Sequence, residues 1–183
     1  IVADIKSIID TDNLFLESIK NSNVILPLVG STKDTKKNQF SIKSNIITKG
    51  EDPLNYLYSY QGFIASLNQF NEAAKGLGSI SIIDSEDGIL RAVPLFLNIN
   101  QQLTPALSME AIRLLNSEEN YVIETDLSGI QTIKTRSTNF KINENGLKFI
   151  KFKKINKESY VSASDIYDGN FDKELFKDKI ILI

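Results

Sequence analysis

The chain has 183 residues, which is the size of one average domain and enough to bury a hydrophobic core. Its 21 Lys and Arg residues face 23 Asp and Glu residues, and a net charge of −2 without a long basic segment argues against a nucleic-acid partner. The sequence contains no His, Cys or Trp, which excludes imidazole bases, thiolate nucleophiles, His or Cys zinc sites and disulfides. We therefore expect a domain without catalytic residues, metal or cofactor.

Both ends of the chain have the character of cuts within a longer protein. The sequence starts at Ile1 without Met and stops in the apolar run 180–183. It has no stretch of about 18 apolar residues, which a membrane span needs, and no signal-peptide pattern. We expect a single domain over residues 1–183, cut from a longer protein.

The first third of the chain predicts one helix among extended segments. A polar, Lys-rich stretch at 31–39 has no periodicity and predicts a loop, so we interpret Lys33, Lys36 and Lys37 as solvated rather than as an anion site. The predicted elements are the end of a buried strand at 1–5, a helix capped by Thr11 or Asp12, a strand at 24–29 and an extended segment at 40–48.

The middle of the chain predicts two helices around a hairpin. Apolar residues at helical spacing predict a helix from Ile64 to Leu77, with Gly76 or Gly78 as the left-handed residue that ends it. The order helix then glycines argues against a dinucleotide-binding loop, which opens a helix. The further predicted elements are a strand at 79–83, an acidic turn at 84–88, a second apolar strand at 89–97 that completes the hairpin, and a helix that starts at Thr104-Pro105.

The last third predicts short strands followed by a helix and a final strand. The predicted strands lie near 121–125, 130–134, 140–142 and 147–152, with a turn at Asn145-Gly146, a short helix at 164–168, a charged connection at 171–178 and a strand buried on both faces at 179–183. Helices that alternate with strands early and hairpins later indicate an α/β fold. We expect a mixed β-sheet flanked by helices, with β-hairpins in the C-terminal half.

The acidic turn and a group of tyrosines supply the candidate site residues. Arg91 follows Gly88 by three residues, so its guanidinium is expected to pair with Asp84 or Asp87 and lock the turn, or alternatively to recognise a carboxylate or phosphate on a ligand. The two carboxylates are also the only basis for an enzymatic alternative, and the glycine falls at the wrong position for an EF-hand calcium loop. Tyr58 and Tyr60 belong to an aromatic group that predicts either a ligand cleft or packing at the edge of the core.

Four segments in order resemble one family. They are the helix and strand over 12–26, the block from Gly78 to Leu95, the helix at 104–111, and the closing stretches 142–147, 161–169 and 176–183. In the second block, Asp84, Asp87, Gly88, Arg91 and Pro94 are similar to the family pattern Asp-x-Asp-Gly-x-x-Arg followed by Pro-Leu, with the first acidic position shifted by one. Together the segments resemble the CHASE2 domain, whereas residues 31–60 show little resemblance. The resemblance implies that the domain is truncated at its N-terminus, because the family's usual first helix and part of its first strand are missing before Ile1.

The resemblance implies an extracytoplasmic sensor module of a bacterial transmembrane receptor. Such a module lies in the periplasm or outside the cell and is coupled through membrane helices to an adenylate or guanylate cyclase, a histidine kinase or a serine/threonine kinase. The resemblance also implies a structural role for the motif residues, an unidentified small-molecule or protein stimulus, a homodimer in the full-length receptor, and membrane attachment through flanking segments. A secreted or lipid-anchored solute-binding protein without signalling output is the alternative.

Overall fold

The computed structural model describes residues 10–33, 40–83, 87–154 and 156–183. The chain divides after Ile150 into two compact units, which are described separately. The predicted strand end at 1–5, together with Lys36, Lys37 and Asp84, lies outside the described residues. The single functional domain over 1–183 stays a prediction.

Three α-helices lie in the described part of the first unit. They are α1 (Thr11–Lys20), α2 (Asn68–Ala73) and α3 (Leu107–Leu115). Helix α1 begins where it does because the Asp10 side chain accepts a hydrogen bond of 3.1 Å from the Asn13 backbone N–H. The cap therefore lies one residue before the predicted Thr11 and two before Asp12.

Twelve strands lie in the described part of the first unit. In chain order they are β1 (Ile25–Ser31), β2 (Asn45–Lys49), β3 (Ser59–Tyr60), β4 (Gly62–Ala65), β5 (Gly76–Ser79), β6 (Ala92–Pro94), β7 (Phe96–Ile99), β8 (Gln102–Pro105), β9 (Asn120–Asp126), β10 (Gly129–Lys134), β11 (Asn139–Phe140) and β12 (Leu147–Phe149). A short 3₁₀ turn, Pro53–Asn55, precedes β3.

The strands form small mixed sheets. Their orders are β4-β1-β5, β11-β10-β9-β2, β12-β6 and β3-β7-β8. Strand β1 runs antiparallel to β4 and parallel to β5, and β2 and β3 make parallel pairs with β9 and β7. The antiparallel pairs β7–β8, β9–β10 and β10–β11 are hairpins in the second half of the chain. The predicted α/β class, with mixed sheets, flanking helices and late hairpins, is confirmed.

Two apolar clusters form the core. The larger one is shared by α3, the β9–β10 pair and β7, and it consists of Leu57, Leu95, Phe96, Ala106, Met109, Tyr121, Ile123, Ile130, Ile133 and Phe140. The smaller one lies against the β4-β1-β5 sheet and consists of Leu28, Phe63, Leu77, Leu97 and Ile99. Strand β7 supplies alternate residues to both clusters, because successive side chains of a strand point to opposite faces.

The predicted helix from Ile64 to Leu77 is wrong in extent. Only α2 is helical, since Ile64 belongs to β4 and Leu77 to β5. Leu77 is buried in the smaller cluster and its strand pairs with β1, so long-range pairing outweighs the local helical spacing. Gly76 and Gly78 do not end a helix, because both lie within β5.

The predicted hairpin of 79–83 with 89–97 is also wrong. Strand β5 pairs with β1, β6 pairs with β12, and β7 pairs with β8, so each candidate strand finds a different partner. The helix expected to start at Thr104-Pro105 begins at Leu107, because Thr104 and Pro105 complete strand β8 against β7. Ala106 then occupies the N-cap position without a side-chain cap hydrogen bond.

The second unit, Lys151–Ile183, contains one α-helix and two 3₁₀ turns among its described residues. Helix α4 (Ala163–Tyr167) is capped by Ser162. It begins and ends one residue before the predicted short helix at 164–168. The 3₁₀ turns are Lys157–Ser159 and Lys173–Phe176. The strand predicted at 179–183 is not formed: these residues are irregular and exposed, and no described strand pairs with them.

Gly78 lets α3 approach β5 at backbone distance. A Cβ atom at this position would lie 2.5 Å from the Cα atom of Leu107 at the start of α3. We expect Gly78→Ala to lower the free energy of unfolding by about 1–3 kcal/mol because backbone atoms have to move apart. Chemical denaturation of the native and variant chains measures this loss.

Gly88→Ala is the matched control, since no atom of the described residues lies within 4 Å of its added Cβ and its φ of +69° is what opposes the substitution. We expect it to cost about 1 kcal/mol. A Gly78→Ala variant as stable as the native chain would contradict the close packing of α3 on β5.

Candidate functional site

The turn at Asp87-Gly88 is closed by Arg91. The Arg91 guanidinium donates two hydrogen bonds to the Asp87 carboxylate, at 2.7 Å and 3.0 Å, and the same carboxylate accepts one from the Ile89 backbone N–H at 3.0 Å. About half of each charged side chain remains exposed. The structure thus places Arg91 on Asp87, while Asp84 lies outside the described residues and a ligand role of Arg91 stays a prediction.

Pro94 lies away from this turn in a strand pair. It is buried, and it ends β6 opposite Leu147 of β12. The backbone N–H of the next residue, Leu95, donates to the carbonyl of Gly146 at 3.1 Å. Pro94 therefore carries the chain from the β6–β12 pair into the buried strand β7.

The two tyrosine candidates lie at strand β3. The Tyr60 ring packs directly on Gly30, where a Cβ atom would come within 2.4 Å of the ring carbons, and its hydroxyl donates to the Ile82 carbonyl at 3.3 Å. Tyr58 is 38% exposed, and its backbone carbonyl accepts from the Asn98 N–H at 2.9 Å. The two clefts beside helix α2 are lined by other residues, and neither Tyr58, Tyr60 nor Arg91 lies in them.

A buried charge network joins α3 to two sheets. Glu110 is fully buried, and its carboxylate accepts hydrogen bonds from Arg113 Nη2 at 2.8 Å and Nε at 3.1 Å. The Tyr121 hydroxyl of β9 donates to the same carboxylate at 3.2 Å. Arg113 Nη2 also donates to the Lys75 carbonyl at 2.8 Å, just before β5.

Burial and the Glu110 charge shift the pKa of both neighbours of this carboxylate. Burial lowers the pKa of Arg113, but the hydrogen bond and charge of Glu110 outweigh burial and leave that pKa raised. Burial and then the Glu110 charge raise the pKa of Tyr121 well above its usual range. Near neutral pH, Arg113 therefore stays charged and Tyr121 stays protonated, so these two side chains hold α3 and β9 in place through the carboxylate.

Sequence reasoning did not find this network. Glu110 and Arg113 are three residues apart on a helix, a spacing that is usual for exposed ion pairs. The available signal was their position: on a helical wheel both share a face with apolar residues of α3, among them Met109, which is also buried. A charged pair within the apolar face of a helix is a sign of burial with partners.

The surface around α2 carries two clefts. The α1–α2 cleft has a volume of about 420 Å³ and is lined by Leu16, Lys20, Gln69, Glu72, Ala73 and Lys75. The Asn71 cleft has a volume of about 310 Å³ and is lined by Phe40, Ser41, Lys43, Asn68, Asn71, Glu72 and Leu77. Both volumes lie near the lower end of the range usual for small-molecule sites.

Asn71 distinguishes the second cleft from the first. Its side chain is 6% exposed, and its Nδ2 donates to the Ser66 carbonyl at 2.8 Å, which fixes the orientation of the amide. Its Oδ1 receives no hydrogen bond from any residue that the structure describes. A buried acceptor without a donor is uncommon and requires an explanation.

Neither a group of metal ligands nor a membrane-spanning helix occurs in the described ranges. No group of three or more acidic residues there is arranged to hold a metal ion. The helices in those ranges are all too short or too polar to cross a bilayer.

Removal of one partner from the buried ion pair is expected to be costly. Arg113→Ala leaves the Glu110 carboxylate without its main counter-charge, and we expect a loss of about 3–5 kcal/mol in the free energy of unfolding. Arg91→Ala, which breaks a half-exposed pair, serves as the control and should cost less than about 1 kcal/mol. Denaturant titration compares the two, and equal losses would contradict the central role given to the buried pair.

The raised pKa of Tyr121 predicts a loss of stability in alkali. Because the unfolded chain releases this phenolic proton near its ordinary pKa of 10.0 and the folded chain keeps it, the free energy of unfolding should fall as the pH rises above about 10. In Tyr121→Phe this decline should be shallower. Thermal melts from pH 8 to 11, about the span of a phenol titration, measure it. Tyr167→Phe, at a side chain that is 91% exposed, should follow the native profile.

Comparison with known proteins identifies the family. No curated protein and no solved structure matches the chain. A family profile described as the CHASE2 domain matches residues 1–183, the whole chain. The match agrees with the segments that resemble this family, and it supports a sensor role outside the cytoplasm rather than catalysis. The chain therefore belongs to the CHASE2 domain family.

Proposed function

We propose that this chain is the periplasmic or extracellular sensor of a bacterial transmembrane receptor. It relays a stimulus through flanking membrane helices to a cytoplasmic cyclase or kinase. The observation that carries the proposal is the CHASE2 match over residues 1–183. Composition agrees with a sensing role, since the absence of His and Cys removes the side chains most used in catalysis.

The relay is conformational in this proposal. A stimulus favours one arrangement of the domain by the difference in its affinity for two states, and it thereby shifts the populations of the attached membrane helices. The full-length receptor is proposed to act as a homodimer, because cyclase and kinase outputs commonly need two chains.

The absence of cysteine from residues 1–183 allows a direct test of the side of the membrane, once any cysteine elsewhere in the gene product is replaced. Leu127 is 87% exposed between β9 and β10, so a cysteine there is open to reagents. In the full-length gene product, we expect Leu127→Cys to react with a membrane-impermeant maleimide in intact cells. Ile133→Cys, at a fully buried position in β10, is the matched control and should react only after unfolding.

Labelling of Leu127→Cys only after lysis would contradict the extracytoplasmic placement.

The same membranes test the relay and the dimer. Deletion of residues 1–183 should change the cyclase or kinase output, and cross-linking in membranes should trap a dimer. A gene product that carries no cyclase or kinase domain would overturn the relay and favour the solute-binding alternative. A receptor that stays monomeric after cross-linking would overturn the dimer.

A further inference from the structure

The Asn71 cleft has the composition of a site for a small neutral molecule. Its apolar surface comes from Phe40 and Leu77, and the Phe40 ring is held edge-on against Phe63 with 4.6 Å between ring centroids. Leu77 is buried in the smaller core cluster. These two side chains give the cleft a fixed apolar wall, which suits the C–H face of a ligand.

The polar side of the cleft offers both donors and acceptors. Ser41, Lys43 and Asn68 carry hydrogen-bond donors, and Asn71 and Glu72 carry acceptors. Lys43 also donates to the Glu72 backbone carbonyl at 3.1 Å, which places its ammonium group at α2. The lining holds one positive and one negative side chain, so its formal charge is balanced and no net charge on the ligand is favoured.

Asn71 supplies the observation that points to a ligand. Its side chain is more than nine-tenths buried, its Oδ1 exposes less than 1 Å², and none of the described residues donates to that oxygen. A buried acceptor of this kind costs free energy that a donor from a ligand would recover. Because this oxygen exposes less than 1 Å², a ligand donor reaches it only when the side chains around it move aside.

We propose that the Asn71 cleft binds a small neutral polyol of the size of a monosaccharide. Its hydroxyl groups both donate to Asn71 Oδ1 and accept from Lys43 and Asn68, and its C–H face packs on Phe40. A volume of about 310 Å³ accommodates one such ring.

Helix α2 is suited to transmit this binding. Of its residues, all of which the structure describes, Asn71 alone is buried, and its first turn has no side-chain cap. Phe70 packs edge-on against Phe15 of α1, with 5.2 Å between ring centroids. A shift of α2 therefore reaches α1. This consequence for signalling rests on the proposed function, whereas the binding itself does not.

Nuclear magnetic resonance on the uniformly ¹⁵N-labelled chain tests the site with D-glucose and myo-inositol as probes. For at least one probe we expect saturable shifts of the Asn71 side-chain amide and of the Lys43 and Asn68 backbone amides, with a dissociation constant of about 1 mM. Lys43→Ala and Asn68→Ala change exposed residues and should each weaken binding about tenfold. Gln69→Ala, the next residue of α2, lines the other cleft and should bind as the native chain does.

Asn71→Leu keeps the side-chain size and removes the acceptor, so it should abolish the shifts while the spectrum of the core stays native. If this variant does not fold, the Lys43 and Asn68 variants decide. The absence of saturable shifts at the cleft with both probes, or binding unaffected by the Lys43 and Asn68 variants, would overturn the proposal. Either result leaves the labelling of Leu127→Cys unchanged, so a failure of this site is distinct from a failure of the sensor function.

Discussion

The buried carboxylate of Glu110 is the constraint on which the arrangement of the first unit depends. A charge without solvent must have a counter-charge and hydrogen bonds, and these come from two places in the chain: Arg113 on the same helix and Tyr121 of β9. A Cβ atom on Gly76 would lie 2.6 Å from the carboxylate. Helix α3 thus has one position between its two sheets at which the charge is satisfied.

Such a network specifies structure more than it stabilises it. Buried ion pairs contribute little net stability relative to apolar residues of similar size, because both charges lose their hydration. A helix shifted by one residue, however, would leave Arg113 away from the Lys75 carbonyl and Tyr121 without its acceptor. The apolar contacts of Met109 and Phe96 tolerate small shifts better, so the polar contacts select the register and the apolar contacts supply most of the stability.

Sequence patterns predicted those parts whose cause is local. The hairpin of β9 and β10 follows from alternation, since Tyr121, Ile123 and Thr125 are all buried on one face. The prediction of one helix over 64–77 was wrong for a long-range reason. Its apolar residues have helical spacing, but they belong to two strands and a helix because β4 and β5 pair with the distant strand β1. Burial of Glu110 was indicated only by its position on the apolar face of α3. Burial of Asn71 was not predictable, because it depends on which surfaces meet in three dimensions, and its residue type alone favours exposure.

The helices differ in how firmly they are held, and this difference bears on sensing. Helix α3 is fixed by charge, hydrogen bonds and close backbone packing, whereas among the described residues of α1 and α2 only Ile19 and Asn71 are buried. A domain that responds by a population shift needs an element of low local stability beside a rigid frame, since a uniformly rigid fold has no second state to populate. Helices α1 and α2 meet that condition, and the side-chain oxygen of Asn71, which no described residue satisfies, lies in α2. A stimulus that acts there would move weakly held helices against a frame that the buried ion pair keeps in place.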